Sequence, residues 1–84
     1  MLNLVIDKKT IYVHQVQNLI ISTILNQKNS YTKQDIYKQV QKKLSNQFLA
    51  QLDVSKMVEE TIVILLRSHY IRRHFLRINH YVTN

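Results

Sequence analysis

No glycine and no proline occurs anywhere in the 84 residues. A chain without them lacks the residues that most readily take positive φ, kink a helix or stop a strand. Every boundary must therefore come from hydrophobic period, capping side chains and polar clusters. Classes of function fall away with the same residues. Without glycine there is no loop whose bare backbone can cradle a nucleotide phosphate. Cysteine is also absent, which removes disulfides, Cys-based zinc sites, iron–sulfur clusters and thiol nucleophiles. The length implies a single domain over residues 1–84, one that buries only about 60–65% of its unfolded surface.

Charge narrows the class of partner. Twelve Lys and Arg stand against five Asp and Glu, a net charge of +7. So basic a small domain is attracted to polyanions. Apolar residues make up 45% of the chain, which suits a packed core and not a disordered segment. The start of the chain has no basic segment leading into a long apolar one, and the longest apolar run, Ile62 to Leu66, is five residues. A bilayer span needs about 20. The expectation is a cytoplasmic protein with no membrane partner.

Leu2 to Ile6 is short and apolar and reads as a strand or an ordered arm. Thr10 is a candidate N-cap for a first helix over 11–27. Its Val13, Val16, Ile20 and Ile24 share one face, and Ile21 widens the stripe toward a thicker core contact or a dimer face. The polar cluster from Asn26 to Ser30 ends it. Thr32 with Asp35 forms a capping-box variant, opening a second helix over 33–44 with Ile36, Val40 and Leu44 on its apolar side. Ser45-Asn46-Gln47 breaks that helix, and Phe48, Leu49 and Leu52 form an apolar cluster after it. Asp53 or Ser55 caps a third helix over 55–69, with Val58, Ile62 and Leu65 inward. Val16, Ile20, Ile24, Ile36, Val40, Val58, Ile62 and Leu65 are the expected core.

From Tyr70 the pattern changes. Tyr70 to Phe75 and Ile78 to Thr83 are β-branched and aromatic, and Asn79 between them tolerates a left-handed backbone. These segments read as a hairpin. The rival reading continues the third helix through Tyr70 and Arg73 toward Leu76.

Tyr31-Thr32-Lys33-Gln34-Asp35-Ile36-Tyr37, the apolar stretch Ile62 to Leu66, and Tyr70-Ile71-Arg72-Arg73 closing with Asn79 to Thr83 follow one another as a helix entry, a helix end and a terminal hairpin. Over about Val13 to Thr83 this order resembles the winged helix-turn-helix superfamily. The resemblance implies an α+β fold, a three-helix domain with a C-terminal β-hairpin wing. It also implies DNA binding, by a small transcriptional regulator that is often a dimer. Three points depart from the pattern. His69 stands where a glycine commonly precedes the wing. The connection from Leu44 to Asp53 is long. The third helix carries Glu59 and Glu60 on its exposed side.

The charged residues sort accordingly. Arg72, Arg73 and Arg77, with His74, form the densest basic group and suit phosphates or a narrow A·T minor groove. Lys38, Lys42 and Lys43, with Lys33 one turn earlier, suit phosphate positioning. Lys56 and Arg67 are the cations that the third helix could bring to base edges, Lys56 at guanine, whereas a glutamate there accepts only from cytosine. Each group is equally a solvated basic face. The expected partner is duplex DNA. A winged-helix module that binds another protein is the alternative, favoured by Glu59, Glu60 and by Phe75-Leu76, which are otherwise core beneath the hairpin. RNA binding lacks an exposed aromatic platform. His14, His69, His74 and His80 match no metal spacing, and each acid is explained by a turn or helix start. No enzyme, cofactor or metal is expected.

Overall fold

The computed structural model describes residues 8–44 and 52–84. The expected strand at Leu2–Ile6, the break at 45–47, and Phe48 and Leu49 lie outside them. The described residues form three helices followed by a two-stranded antiparallel hairpin: α1 (Lys8–Leu25), α2 (Lys33–Lys43), α3 (Val54–Arg67), β1 (Ile71–Arg73) and β2 (Tyr81–Thr83). This is the α+β arrangement expected, and the helical extension of α3 is excluded.

Helix ends follow local chemistry. α1 starts at Lys8, so Thr10 lies inside its first turn and is not its cap. Thr32 and Asp35 make the reciprocal capping box: Thr32 Oγ1 accepts from the Asp35 N–H at 3.1 Å, and an Asp35 carboxylate oxygen accepts from the Thr32 N–H at 2.9 Å. Asp53, and not Ser55, caps α3, its Oδ1 accepting from the Lys56 N–H at 3.1 Å.

α3 stops at Arg67 by a Schellman arrangement. The His69 N–H donates to the Leu66 carbonyl at 3.2 Å and the Tyr70 N–H to the Leu65 carbonyl at 3.0 Å. The motif needs a left-handed residue just past the cap, a place usually taken by glycine. Here His69 takes it, with φ 62°, and the Asn84 side-chain amide donates to its carbonyl at 2.7 Å. Left-handed backbone costs a residue with a Cβ about 1–2 kcal/mol. A glycine gives back about 0.4–1 kcal/mol of that through the freer unfolded chain. His69→Gly is therefore expected to stabilise the fold by about 0.5–1 kcal/mol, read by urea denaturation. A loss of stability would mean that the imidazole makes a contact outweighing the strain.

One core joins all five elements. All eight expected core residues are buried in it, with Tyr31, Val54, Ile71 and Tyr81 added, while Leu44 and Leu52 pack at its margin. Among the described residues the buried polar side chains are Thr23 and Thr61, and both are satisfied locally: Thr23 Oγ1 donates to the Leu19 carbonyl and Thr61 Oγ1 to the Met57 carbonyl, both at 2.7 Å.

The hairpin is fastened to the helices at its base. Ile71 pairs with Thr83, Arg72 with Val82 and Arg73 with Tyr81. Tyr31, in the connection between α1 and α2, adds a bridge on the other side of Tyr81, with mutual N–H···O bonds of 3.0 and 2.8 Å. Thr83 Oγ1 donates to the Ile24 carbonyl at 2.7 Å, which commits its hydrogen. The Tyr31 hydroxyl, 3.2 Å away, must then donate to Thr83. Burial pushes the Tyr31 phenol above its ordinary range.

Candidate nucleic-acid interface

The strands are shorter than their composition predicts. β1 ends at Arg73 and β2 begins at Tyr81, so Phe75 and Ile78 belong to a tip loop. Strand propensity expresses itself where a side chain is buried against neighbours, and both of these stand largely in solvent. His74 turns the chain instead. Its Nδ1 accepts from the Leu76 and Arg77 N–H groups, each at 3.1 Å. The return is made by Asn79 at φ 64°, in a turn whose His80 N–H donates to the Arg77 carbonyl at 3.4 Å. A positive φ at the third position of such a turn selects Gly or Asn.

Side-chain alternation divides the hairpin. Ile71, Arg73, Tyr81 and Thr83 lie on one face, and Arg72 and Val82 on the other. Ile71 and Tyr81 are buried. Arg73, also on that face, stands at its rim with its guanidinium carbon 5.7 Å from the centre of the Tyr81 ring. Arg72 points the opposite way. Arg72, Arg73 and Arg77 are all exposed, and no Asp or Glu occurs from Thr61 to Asn84. The tip itself is apolar: Phe75 is 82% exposed, Leu76 75% and Ile78 88%. Phe75 and Leu76 are thus not core beneath the sheet. Each such side chain forgoes about 1.5–3 kcal/mol of available burial.

The lysines divide differently from their spacing in sequence. Lys38 and Lys42, one turn apart, share the side of α2 opposite the buried Ile36 and Val40, and Lys43 lies a further 100° round. Lys33 leaves this group. Its Nζ lies 3.2 Å from a Glu59 carboxylate oxygen on α3. Lys56 sits 4.0 Å from Glu60 in an i,i+4 pair. Both pairs are exposed, so they contribute little to stability, but they alter what α3 presents. Its outward stripe runs Lys56, Glu60, Val63, Arg67, with Glu59 beside it; the two cations offset the two acids. Val63 and the neighbouring Ile64 are exposed apolar residues on the same helix.

Two shallow clefts set the spatial relations. One, lined by Thr32, Lys33, Gln34, Ile78, Asn79 and His80, separates the start of α2 from the hairpin tip. The other, lined by Lys33, Tyr37, Ser55 and Glu59 among others, separates α2 from α3. Lys33 borders both. Lys42 lies nine residues further along α2, about 14 Å away along its axis. The structure therefore brings Lys33 and the tip to one side, with Arg72, Arg73 and Arg77 on the hairpin, while Lys56 stays on the outward stripe of α3 beside Glu60. Lys38 and Lys42 form a separate outer patch.

Sequence reasoning overlooked Ile78 as a tip residue and the Lys33–Glu59 pair. The tip had a signal, a His and an Asn bracketing Phe-Leu-Arg-Ile, but it competes with the strand reading of the same residues. The ion pair joins two elements at no periodic spacing and has no signature in sequence.

Among the described residues no group of three His, Asp or Glu side chains is placed to hold a metal ion. No described helix is long and apolar enough to cross a membrane. In comparisons with known proteins the chain matches no family model, no curated protein and no solved structure.

Proposed function

We propose that this protein is a winged-helix DNA-binding protein, a small regulator of transcription that engages duplex DNA chiefly through its C-terminal hairpin. One observation carries the reading. The hairpin is locked into the core by Ile71, Tyr81 and the Tyr31 bridge, and it presents exposed Arg72 and Arg73 on β1 and Arg77 at its tip, with no Asp or Glu from Thr61 to Asn84. A projecting cationic hairpin is suited to phosphate oxygens. Lys38 and Lys42 serve as a second phosphate contact that holds position without reading sequence. α3, with its paired charges, is a weak reader of bases; specificity falls to the hairpin and to duplex shape.

The test is an anisotropy titration of labelled duplex DNA at several salt concentrations, with light scattering to read whether the chain binds as a homodimer. Affinity should fall steeply as salt rises. Glu59→Gln should raise it across all sequences, because the change removes a repelled charge and frees Lys33. An unchanged or lower affinity for that variant would mean that α3 faces away from the duplex.

A second reading has its own support. Val63 and Ile64 are exposed on α3 beside charges that neutralise one another, a surface better suited to a protein than to phosphate. If the parent bound duplex DNA at no salt concentration, a protein-interaction module would replace the first reading.

A further inference from the structure

We infer that the hairpin tip is an apolar wedge, which enters the minor groove of duplex DNA and unstacks a base step with Phe75, Leu76 and Ile78. The inference rests on the duplex-binding reading and goes beyond it, from phosphate contact to deformation of the duplex.

Singly exposed apolar side chains are ordinary on protein surfaces. Three within four residues, at 82%, 75% and 88% exposure, are not scattered in that way. Apolar patches rimmed by polar groups mark contact sites. The rim here is Arg72, Arg73 and Arg77, which restricts the occupant to something anionic around an apolar interior. A DNA groove is built so: phosphates on its two edges and the faces of stacked bases within.

The hairpin's geometry matches that division. Arg72 and Arg73 are successive residues of a strand, so they project from opposite faces of the ribbon. A tip entering a groove has a phosphate strand on each side, one for each arginine. Arg77 lies within the tip, where a narrow A·T groove concentrates negative potential. A flat anionic surface would have no use for cations on two opposed faces of one ribbon.

The tip is also held rigid. His74 Nδ1 accepts two backbone N–H groups at 3.1 Å. The His74 N–H donates to the His80 carbonyl at 2.8 Å and the His80 N–H to the Arg77 carbonyl at 3.4 Å. The His74 and Phe75 rings stack with centres 5.6 Å apart and planes 3° from parallel. A wedge gains from such ordering, because its conformational entropy is lost on folding and not on binding. Side chains of this type, Phe, Leu and Ile, inserted between base steps kink duplexes by about 20–90°.

The test uses the whole chain and a duplex with a central TA step in an A·T tract, since that step unstacks most easily. Dyes at the two ends report bending by energy transfer, and 2-aminopurine at the step reports unstacking by brightening. The parent should bend this duplex and brighten the probe. The triple variant Phe75→Ser, Leu76→Ser, Ile78→Ser keeps every charge; it should bind with the same salt slope but neither bend nor brighten. Thermal melting checks that it is folded. Salt-dependent binding by the parent without bending or brightening would overturn the wedge and leave the duplex-binding reading standing. So would a triple variant that still bends. Absence of duplex binding altogether would sink the reading and the wedge together. Phosphatidylserine–phosphatidylcholine vesicles form the last arm. Tip-dependent sedimentation with them, without unstacking of the duplex, would overturn the wedge in favour of a membrane contact.

Discussion

Ile62→Ala should cost about 2–5 kcal/mol. Ile62 is 1% exposed, in the middle of α3, within the cluster that α1, α2 and the base of the hairpin share. Removing its side chain loses the transfer free energy of the buried carbons and leaves a cavity that three helices cannot easily close. For a domain of this size the whole stability is about 4–13 kcal/mol, so the variant loses a large part of it. The midpoint of thermal unfolding should fall by roughly 10 °C or more. Ile64→Ala is the internal control. Ile64 lies two residues on, about 200° round the helix, and is 54% exposed; its truncation should stay within about 0.5 kcal/mol. Urea denaturation of the pair measures both. Equal effects would mean that the inward face of α3 has been misidentified.

The second large effect concerns binding. Each phosphate neutralised by a cation releases counterions, so log K falls by about 0.9 per contact for each unit of log salt. Arg72→Ala with Arg73→Ala should flatten that slope by roughly two. Taking 1 M salt as the point where release contributes nothing, the loss at 0.1 M is about 60-fold. It should be uniform across duplex sequences, because phosphates carry no base identity. Arg73 also covers the Tyr81 ring, and losing that contact costs about 0.5–1 kcal/mol of stability. The variant must therefore be compared at a temperature where both proteins are folded. Affinity equal to the parent's at every salt concentration would remove the hairpin from the interface. Substituting Lys38 and Lys42 instead tests the outer patch of α2 by the same slope.

The helices and their inward faces were legible because a 3.6-residue period repeats over several turns, and each repeat of Val or Ile reinforces the last. Caps were legible where two side chains act at a fixed local spacing, as at Thr32 and Asp35. The hairpin was legible only as a change of composition. Its strands are three residues long, too few for a period of two to declare itself. The tip was misread as strand because Phe75 and Ile78 have strand propensity, whereas the side chain that decides the matter is His74, through its ring nitrogen. His69 illustrates a different limit. The helix end requires a left-handed residue, and in a chain without glycine the position is filled against local preference, so no residue type announces it. The Tyr31–Tyr81 bridge joins positions 50 apart, and only the fold brings them together.

The alternation along the hairpin also governs how this protein can change. Ile71, Tyr81 and Thr83 are bound up with the core and with Ile24 and Tyr31, so substitutions there take a large part of the domain's stability before any altered contact could be tried. Residues 75–78 touch little of the rest, and most substitutions there leave stability within about 0.5 kcal/mol. Distant sites of this kind combine almost additively. Drift or selection can therefore rewrite the tip, in charge, size or aromatic content, almost independently of the body that carries it. Lineages of this fold should differ most at the tip and least at its base, and a tip from one should be transplantable to another.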